Sequence, residues 1–248
     1  MWPVWWTCCT ATRKEQRTFA LHEQKAPEKT IVVLAVVVFV STVGLVCYPV
    51  TKLTATRGLS SYTQDRRKPP PMNPFTEKLL AAVRLAVEAH DGQKRKGSGA
   101  PYVLHPLRVA SLVSGASVAE PQAHEAMILA AVLHDTLEDT AIDAEELRKR
   151  FGEDVAALVE HLTQDKSKPR DERRRGMIEH CGAMPRKAQT IKLADRLDNL
   201  REIENMPQDF VERYCGEARQ MLEQMRGACP ELEREILGIV ESCEKAGD

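Results

Sequence analysis

The sequence predicts an all-α domain, a bundle of roughly eight helices over residues 73–248, preceded by a candidate transmembrane helix and a polar linker. Three observations carry this expectation. Apolar residues after position 73 recur at three- and four-residue spacing, capping residues and prolines punctuate that pattern, and no stretch alternates apolar and polar residues for the length of a strand.

Residues 1–30 read as a polar N-terminal segment. From Ile31 to Val50 the chain is uncharged, IVVLAVVVFVSTVGLVCYPV, and as a helix it would be about 30 Å long, enough to cross a bilayer core. A buried hydrophobic segment is the other reading. A cleaved signal peptide is disfavoured, because thirty residues precede the run and no A-x-A site follows it. Five Lys/Arg at 11–30 face five at 51–70, so the positive-inside rule leaves the orientation open. Residues 51–72, with Arg66-Arg67-Lys68 followed by Pro69-Pro70-Pro71, have the composition of an extended linker. Met72 ends this linker and offers a second start site.

The domain opens at Asn73-Pro74, a capping residue before a proline that fits the first helical turn. Leu79, Leu80, Val83 and Val87 give the first helix its apolar stripe. Gly97, Gly99 and Pro101 make the next loop irregular. Later helices are expected to start near Pro121, at the Asp143-x-x-Glu146 capping box, and near Pro185, Pro207 and Pro230, while Gly152 closes the helix that contains Leu147 and Phe151.

The formal net charge of −1 is unevenly divided: residues 1–72 hold 10 Lys/Arg against 4 Asp/Glu, and residues 73–248 hold 25 against 32. An acidic body argues against a protein that coats nucleic acid, since phosphate backbones are bound by basic surfaces. A small anionic substrate would need local cations or a metal. The seven cysteines show no C-x-x-C spacing and read as reduced thiols of a cytosolic domain. There is no phosphate-cradling glycine loop of the G-x-x-x-x-G-K type.

Chemistry concentrates in three places. The most apolar helix, through Met127, Ile128, Leu129, Val132 and Leu133, runs directly into His134-Asp135-Thr136-Leu137-Glu138-Asp139. On a helix His134 pairs with Glu138 and Asp135 with Asp139 at four-residue spacing, two neighbouring stripes of ligand and acid–base groups. The segment Tyr102-Val103-Leu104-His105-Pro106 adds a histidine at a helix entry, and Ile191 to Arg201 adds Asp195 on an otherwise apolar face. Two imidazoles and two carboxylates suit one first-row divalent ion with open positions for water and phosphate, Mn²⁺ in preference to a closed structural Zn²⁺ site.

These residues resemble the HD phosphohydrolases, and within them the hydrolase half of the RelA/SpoT homologues. The chain reads Ala89-His90-Asp91-Gly92-Gln93-Lys94-Arg95-Lys96, PYVLHP from Pro101, HDTLEDT from His134 and KLADRLDNLR from Lys192, four ordered motifs across most of residues 79–205. The size of the domain and Thr163-Gln164-Asp165-Lys166 look most like the compact metazoan-type SpoT homologues, which contain only the hydrolase. The resemblance implies an HD-domain bundle over 73–248, with His105, His134, Asp135 and Asp195 as metal ligands, Glu138 and Asp139 in catalysis, Arg95 and Lys96 on the nucleotide, and Asn199 positioning the substrate. Asn199 also follows Asp195 by four residues and so faces the same site. At Asp198 relatives often carry His or Tyr; the carboxylate is expected to add negative charge near the pocket mouth. His90 supports the loop in this reading, and His22, His124, His161 and His180 match no ligand position.

The implied reaction is hydrolysis of the 3′-pyrophosphate of ppGpp or pppGpp. The alternatives are an HD phosphohydrolase acting on NADPH or a deoxynucleotide, and a non-catalytic membrane-tethered nucleotide sensor, which would be marked by a lost ligand or carboxylate. The expected partner is a small nucleotide, with no nucleic acid and no obligate protein partner. The catalytic domain is expected in the cytoplasm, anchored to a membrane if residues 31–50 are translated and inserted.

Overall fold

In a computed structural model, the described residues are Phe39, 72–118, 120–203 and 206–247. The candidate membrane segment 31–50 and the linker 51–71 otherwise lie outside them. Among the described residues no helix is long and apolar enough to cross a membrane.

Ten helices occur among the described residues: α1 (Pro74–Ala89), α2 (Leu104–Ser114), α3 (Pro121–Leu133), α4 (Thr136–Asp139), α5 (Ala144–Phe151), α6 (Glu153–Leu162), α7 (Arg170–Cys181), α8 (Arg186–Leu200), α9 (Gln208–Gln224) and α10 (Pro230–Gly247). The all-α expectation holds. The chain bends at two places, at a one-turn α4 behind the His134-Asp135 corner and at the predicted break at Gly152 between α5 and α6. The predicted starts are sound to within a residue. Asn73 Oδ1 accepts from the Phe75 amide at 3.1 Å and Asp143 Oδ1 from the Glu146 amide at 2.8 Å. Pro185 and Pro207 stand one position outside their helices, whereas Pro121 and Pro230 begin theirs.

Gly152 closes α5 and opens α6 with φ +98° and ψ +168°, a conformation that side chains disfavour. An added Cβ would meet nothing within 4 Å, so the cost of a substitution there is backbone strain alone. Gly152→Ala should therefore lower stability by about 1–3 kcal/mol, read as a reduced denaturation midpoint. An unchanged midpoint would mean that the corner relaxes freely.

Two helices form the centre. α3 is apolar nearly all round and buried from Met127 to Leu133, in contact with α1, α2, α6 and α8. α8 is buried along most of its length and also touches α2, α9 and α10. Polar groups on helices this deep are costly unless partnered. α3 delivers His134 at its end and α8 carries Lys192, Asp195 and Asp198 within its buried span, and each of these side chains meets partners in the same place.

Candidate active site

The corner after Leu133 aims the site. His134 and Asp135 both stay in the right-handed helical region, Asp135 at its edge with φ −96° and ψ −4°, and α4 then restarts the chain. Thr136, fully buried, donates its hydroxyl to the Leu133 carbonyl at 2.7 Å, which satisfies an orphan acceptor at the end of α3. His105 enters from the first turn of α2, and Asp195 from the middle of α8.

The three segments converge. His105 Nε2 lies 3.2 Å from Asp195 Oδ1 and 3.7 Å from Asp135 Oδ2, and His134 Nε2 lies 3.1 Å from Asp135 Oδ2 and 3.8 Å from Asp195 Oδ1. The ring centroids of the two histidines are 5.1 Å apart. His105, His134 and Asp195 each present a ligand atom, all within 4.8 Å of one another, in a group that could hold a metal ion.

The imidazoles are arranged to suit an ion. His134 Nδ1 faces the Ala131 carbonyl at 2.9 Å and His105 Nδ1 faces Asp198 Oδ2 at 2.7 Å, so in each neutral ring the proton belongs on Nδ1 and the Nε2 lone pair points inward. His134 Nε2 is buried and faces only the carboxylates of Asp135, at 3.1 Å, and Asp195, at 3.8 Å, a setting that fits a ligand atom. Burial pushes both aspartates up, but the His134 charge beside Asp135 and the Lys192 ammonium beside Asp195 prevail and hold both carboxyls well below the usual range. Burial likewise opposes charge on His105, yet its bonds to Asp195 and Asp198 raise it to about 9.

Around it the contacts are dense. Tyr102 donates its hydroxyl to Asp135 Oδ2 at 2.6 Å, and burial followed by the Asp135 charge raises its phenol far above the ordinary value. Lys192 donates to Asp195 Oδ2 at 2.8 Å, and Asn199 Nδ2 donates to Asp195 Oδ1 at 2.6 Å. A pocket of about 280 Å³ opens over these groups. Glu138 and Asp139 line it: Glu138 Oε2 accepts from the Gln164 amide at 3.2 Å, and Asp139 pairs with Lys166. Its cations are Arg170, Arg173 and Arg174 from α7, Lys192 and Arg196 from α8, and Arg213 from α9, with Phe210 and Tyr214 as aromatic wall.

The nucleotide-directed cations predicted from sequence border this pocket, with Arg95 over the Tyr102 ring at 5.7 Å. Arg95 donates to Glu202 Oε2 at 2.9 Å and to Asn199 Oδ1 at 2.8 Å, just outside the lining, and Lys96 is exposed on the loop. The loop itself is held by one isolated bridge between Lys94 and Pro101. Asp198 requires a correction. It is 2% exposed, behind His105 rather than at the pocket mouth, because α2 packs over that face of α8 and Arg108 reaches across to it. Among the described residues the other histidines make no contact with the ligand atoms: His90 meets Gln93 and packs on the Tyr102 ring, His124 bonds the Val113 carbonyl, and His161 stacks on His180, while His22 lies outside the described residues.

Tyr102 and Lys192 lay inside quoted motifs without a role, and the signal for Lys192 was a charge on a buried face three residues before Asp195. The α7 arginines gave none. They belong to a run that reads as a solvated helix face.

Comparison with known proteins bears on this arrangement. The family described as HD domain matches residues 82–222, more than half of the chain, and this span contains the whole cluster. The chain belongs to the HD-domain family. Among relatives of this HD-domain protein, the guanosine-3′,5′-bis(diphosphate) 3′-pyrophosphohydrolase MESH1 of Xenopus tropicalis is 37% identical over 170 residues, covering 64% of this chain and 90% of the relative. The protein of the same name from Homo sapiens is 35% identical over 170 residues, with the same shares. A solved structure described as a metazoan ortholog of SpoT that hydrolyzes ppGpp superposes with a TM-score of 0.63 at 34% identity, covering 71% of this chain and 98% of the other.

Proposed function

We propose that this HD-domain protein hydrolyses the 3′-pyrophosphate of ppGpp or pppGpp, releasing pyrophosphate and GDP or GTP, with one Mn²⁺ held by His105, His134, Asp135 and Asp195. The observation that carries the reading is the likeness, over nearly the full length of that structure, to a ppGpp hydrolase. The inward-facing Nε2 atoms and paired aspartates support the ligand set. A divalent ion there would supply a water of lowered pKa and offset charge on phosphoryl oxygens. Glu138 and Asp139, on the pocket wall, take and return protons, while Asn199, Arg95 and Lys96 position the nucleotide. We take 73–248 as the catalytic domain, cytoplasmic, with 31–50 as its membrane anchor if translated and inserted.

Incubating the full chain and Mn²⁺ with ppGpp, and resolving products by ion exchange, should yield GDP and pyrophosphate. NADPH and a deoxynucleoside triphosphate in parallel give the contrast. Turnover of either of these without turnover of ppGpp would replace the proposed substrate.

A further inference from the structure

The two histidines of the cluster are held from behind in different ways. His134 gives its Nδ1 proton to a neutral acceptor on its own helix, the Ala131 carbonyl at 2.9 Å. His105 gives its own to a carboxylate on another helix, Asp198 Oδ2 at 2.7 Å, with both side chains 2% exposed. That carboxylate is gripped in turn: Arg108 Nε donates to Asp198 Oδ1 at 2.7 Å and its terminal nitrogen to Asp198 Oδ2 at 3.0 Å. Arg108 also pairs with Glu202, and Glu202 with Arg95, so the guanidinium has a second anchor.

A carboxylate bound on both oxygens by a guanidinium fork cannot turn away from the ring it serves. A charged acceptor on Nδ1 fixes the tautomer, orients the imidazole and makes Nε2 a stronger donor toward a cation. We propose that Asp198, anchored by Arg108, is a positioning residue that sets His105 as an Nε2 ligand and tightens the hold of the centre on a divalent ion. The proposal rests on the metal reading above. Its competitor is a plain strut, an ion pair that only ties α2 to α8.

Manganese alone is the probe, titrated calorimetrically into the full chain after chelator treatment, with wild type, His134→Ala, Asp198→Asn, Asp198→Ala and Arg108→Gln compared. Helicity by circular dichroism and melting of the metal-free protein accompany each titration. Asp198→Asn leaves a neutral acceptor and Asp198→Ala none, so the dissociation constant should rise roughly 10–100-fold, more for alanine than for asparagine. Arg108→Gln should weaken binding less, because the carboxylate remains, and it carries the test if the Asp198 variants do not fold. A lower melting temperature in metal-free Asp198→Asn with a wild-type dissociation constant would make Asp198 a strut and overturn the proposal. So would unchanged affinity in both Asp198→Asn and Arg108→Gln. If wild type takes up no manganese, or His134→Ala binds as well as wild type, the metal reading itself fails.

Discussion

Replacing His134 by alanine should strip the protein of its metal and with it nearly all hydrolase activity, a loss of affinity larger than the roughly 10–100-fold that changes behind a ligand typically cause. His134 is the cleanest of the four positions to test. Its Nδ1 bonds the Ala131 carbonyl in its own helix and its Nε2 meets only the Asp135 and Asp195 carboxylates of the cluster, so removing the ring breaks no hydrogen bond that serves a structural role elsewhere. Asp195 is a poorer probe. Asp195→Ala would leave the Lys192 ammonium buried without its partner at 2.8 Å, a defect that costs about 3–5 kcal/mol and confounds metal loss with unfolding. His105→Ala and Asp135→Ala fall between, since His105 also meets Asp198 and Asp135 also receives the Tyr102 hydroxyl. His124→Ala and His161→Ala are the controls, one bonded to the Val113 carbonyl and the other stacked on His180. Metal content by elemental analysis, with activity on the same samples, decides the matter. Equal metal loss in the controls, or full retention without His134 and Asp135, would remove the ligand assignment.

Much of this arrangement is legible in the chain, for reasons that differ by element. α3 declares itself because it is apolar all round, which marks a buried helix, and because polar chemistry begins abruptly at His134. The capping residues Asn73 and Asp143 act locally and so can be found locally. Where a residue is placed by another helix, spacing alone fails. On α8 Ile191 to Asp195 are all buried, along with Leu197 and Asp198, so periodicity does not say which neighbour each side chain meets. That is why Asp198 was expected at the mouth and lies behind His105, where α2 and Arg108 fix its direction.

The cationic wall follows the same rule. α7 is strongly polar, and its packing against α9 turns Arg173 and Arg174 toward the pocket. Arg173 Nε is buried without a hydrogen-bond partner and its terminal nitrogen stands 3.8 Å from Glu138 Oε1. An acidic domain therefore concentrates positive charge at one place, beside the cluster of His105, Asp135 and Asp195. This juxtaposition suits an anionic substrate that meets a cation at its reacting phosphate.

Glu138→Gln and Asp139→Asn should separate holding the ion from the chemistry done beside it. Both side chains line the pocket, one turn beyond the His134-Asp135 corner. Glu138 spends its carboxylate on the Gln164 amide and on Arg173, and Asp139 spends its own on Lys166, so neither is engaged with His105 or His134. Glu138 is the more sheltered of the two, with its side chain 19% exposed against 31% for Asp139. Burial above all, with the nearby Asp135 charge adding to it, lifts the Glu138 carboxyl above its ordinary value despite the bond from Gln164, a shift toward the range useful for proton transfer. The amide replacements keep size and polarity and remove only the capacity to take a proton. Bound manganese and KM should then survive while kcat falls about 10²–10⁴-fold, with the larger loss at Glu138. If both residues were only solvated charges at a helix end, their replacement would change stability by about 0.5 kcal/mol or less and leave turnover intact. Wild-type kcat in both variants would therefore end their assignment to catalysis, whereas lost manganese would move them into the ligand set.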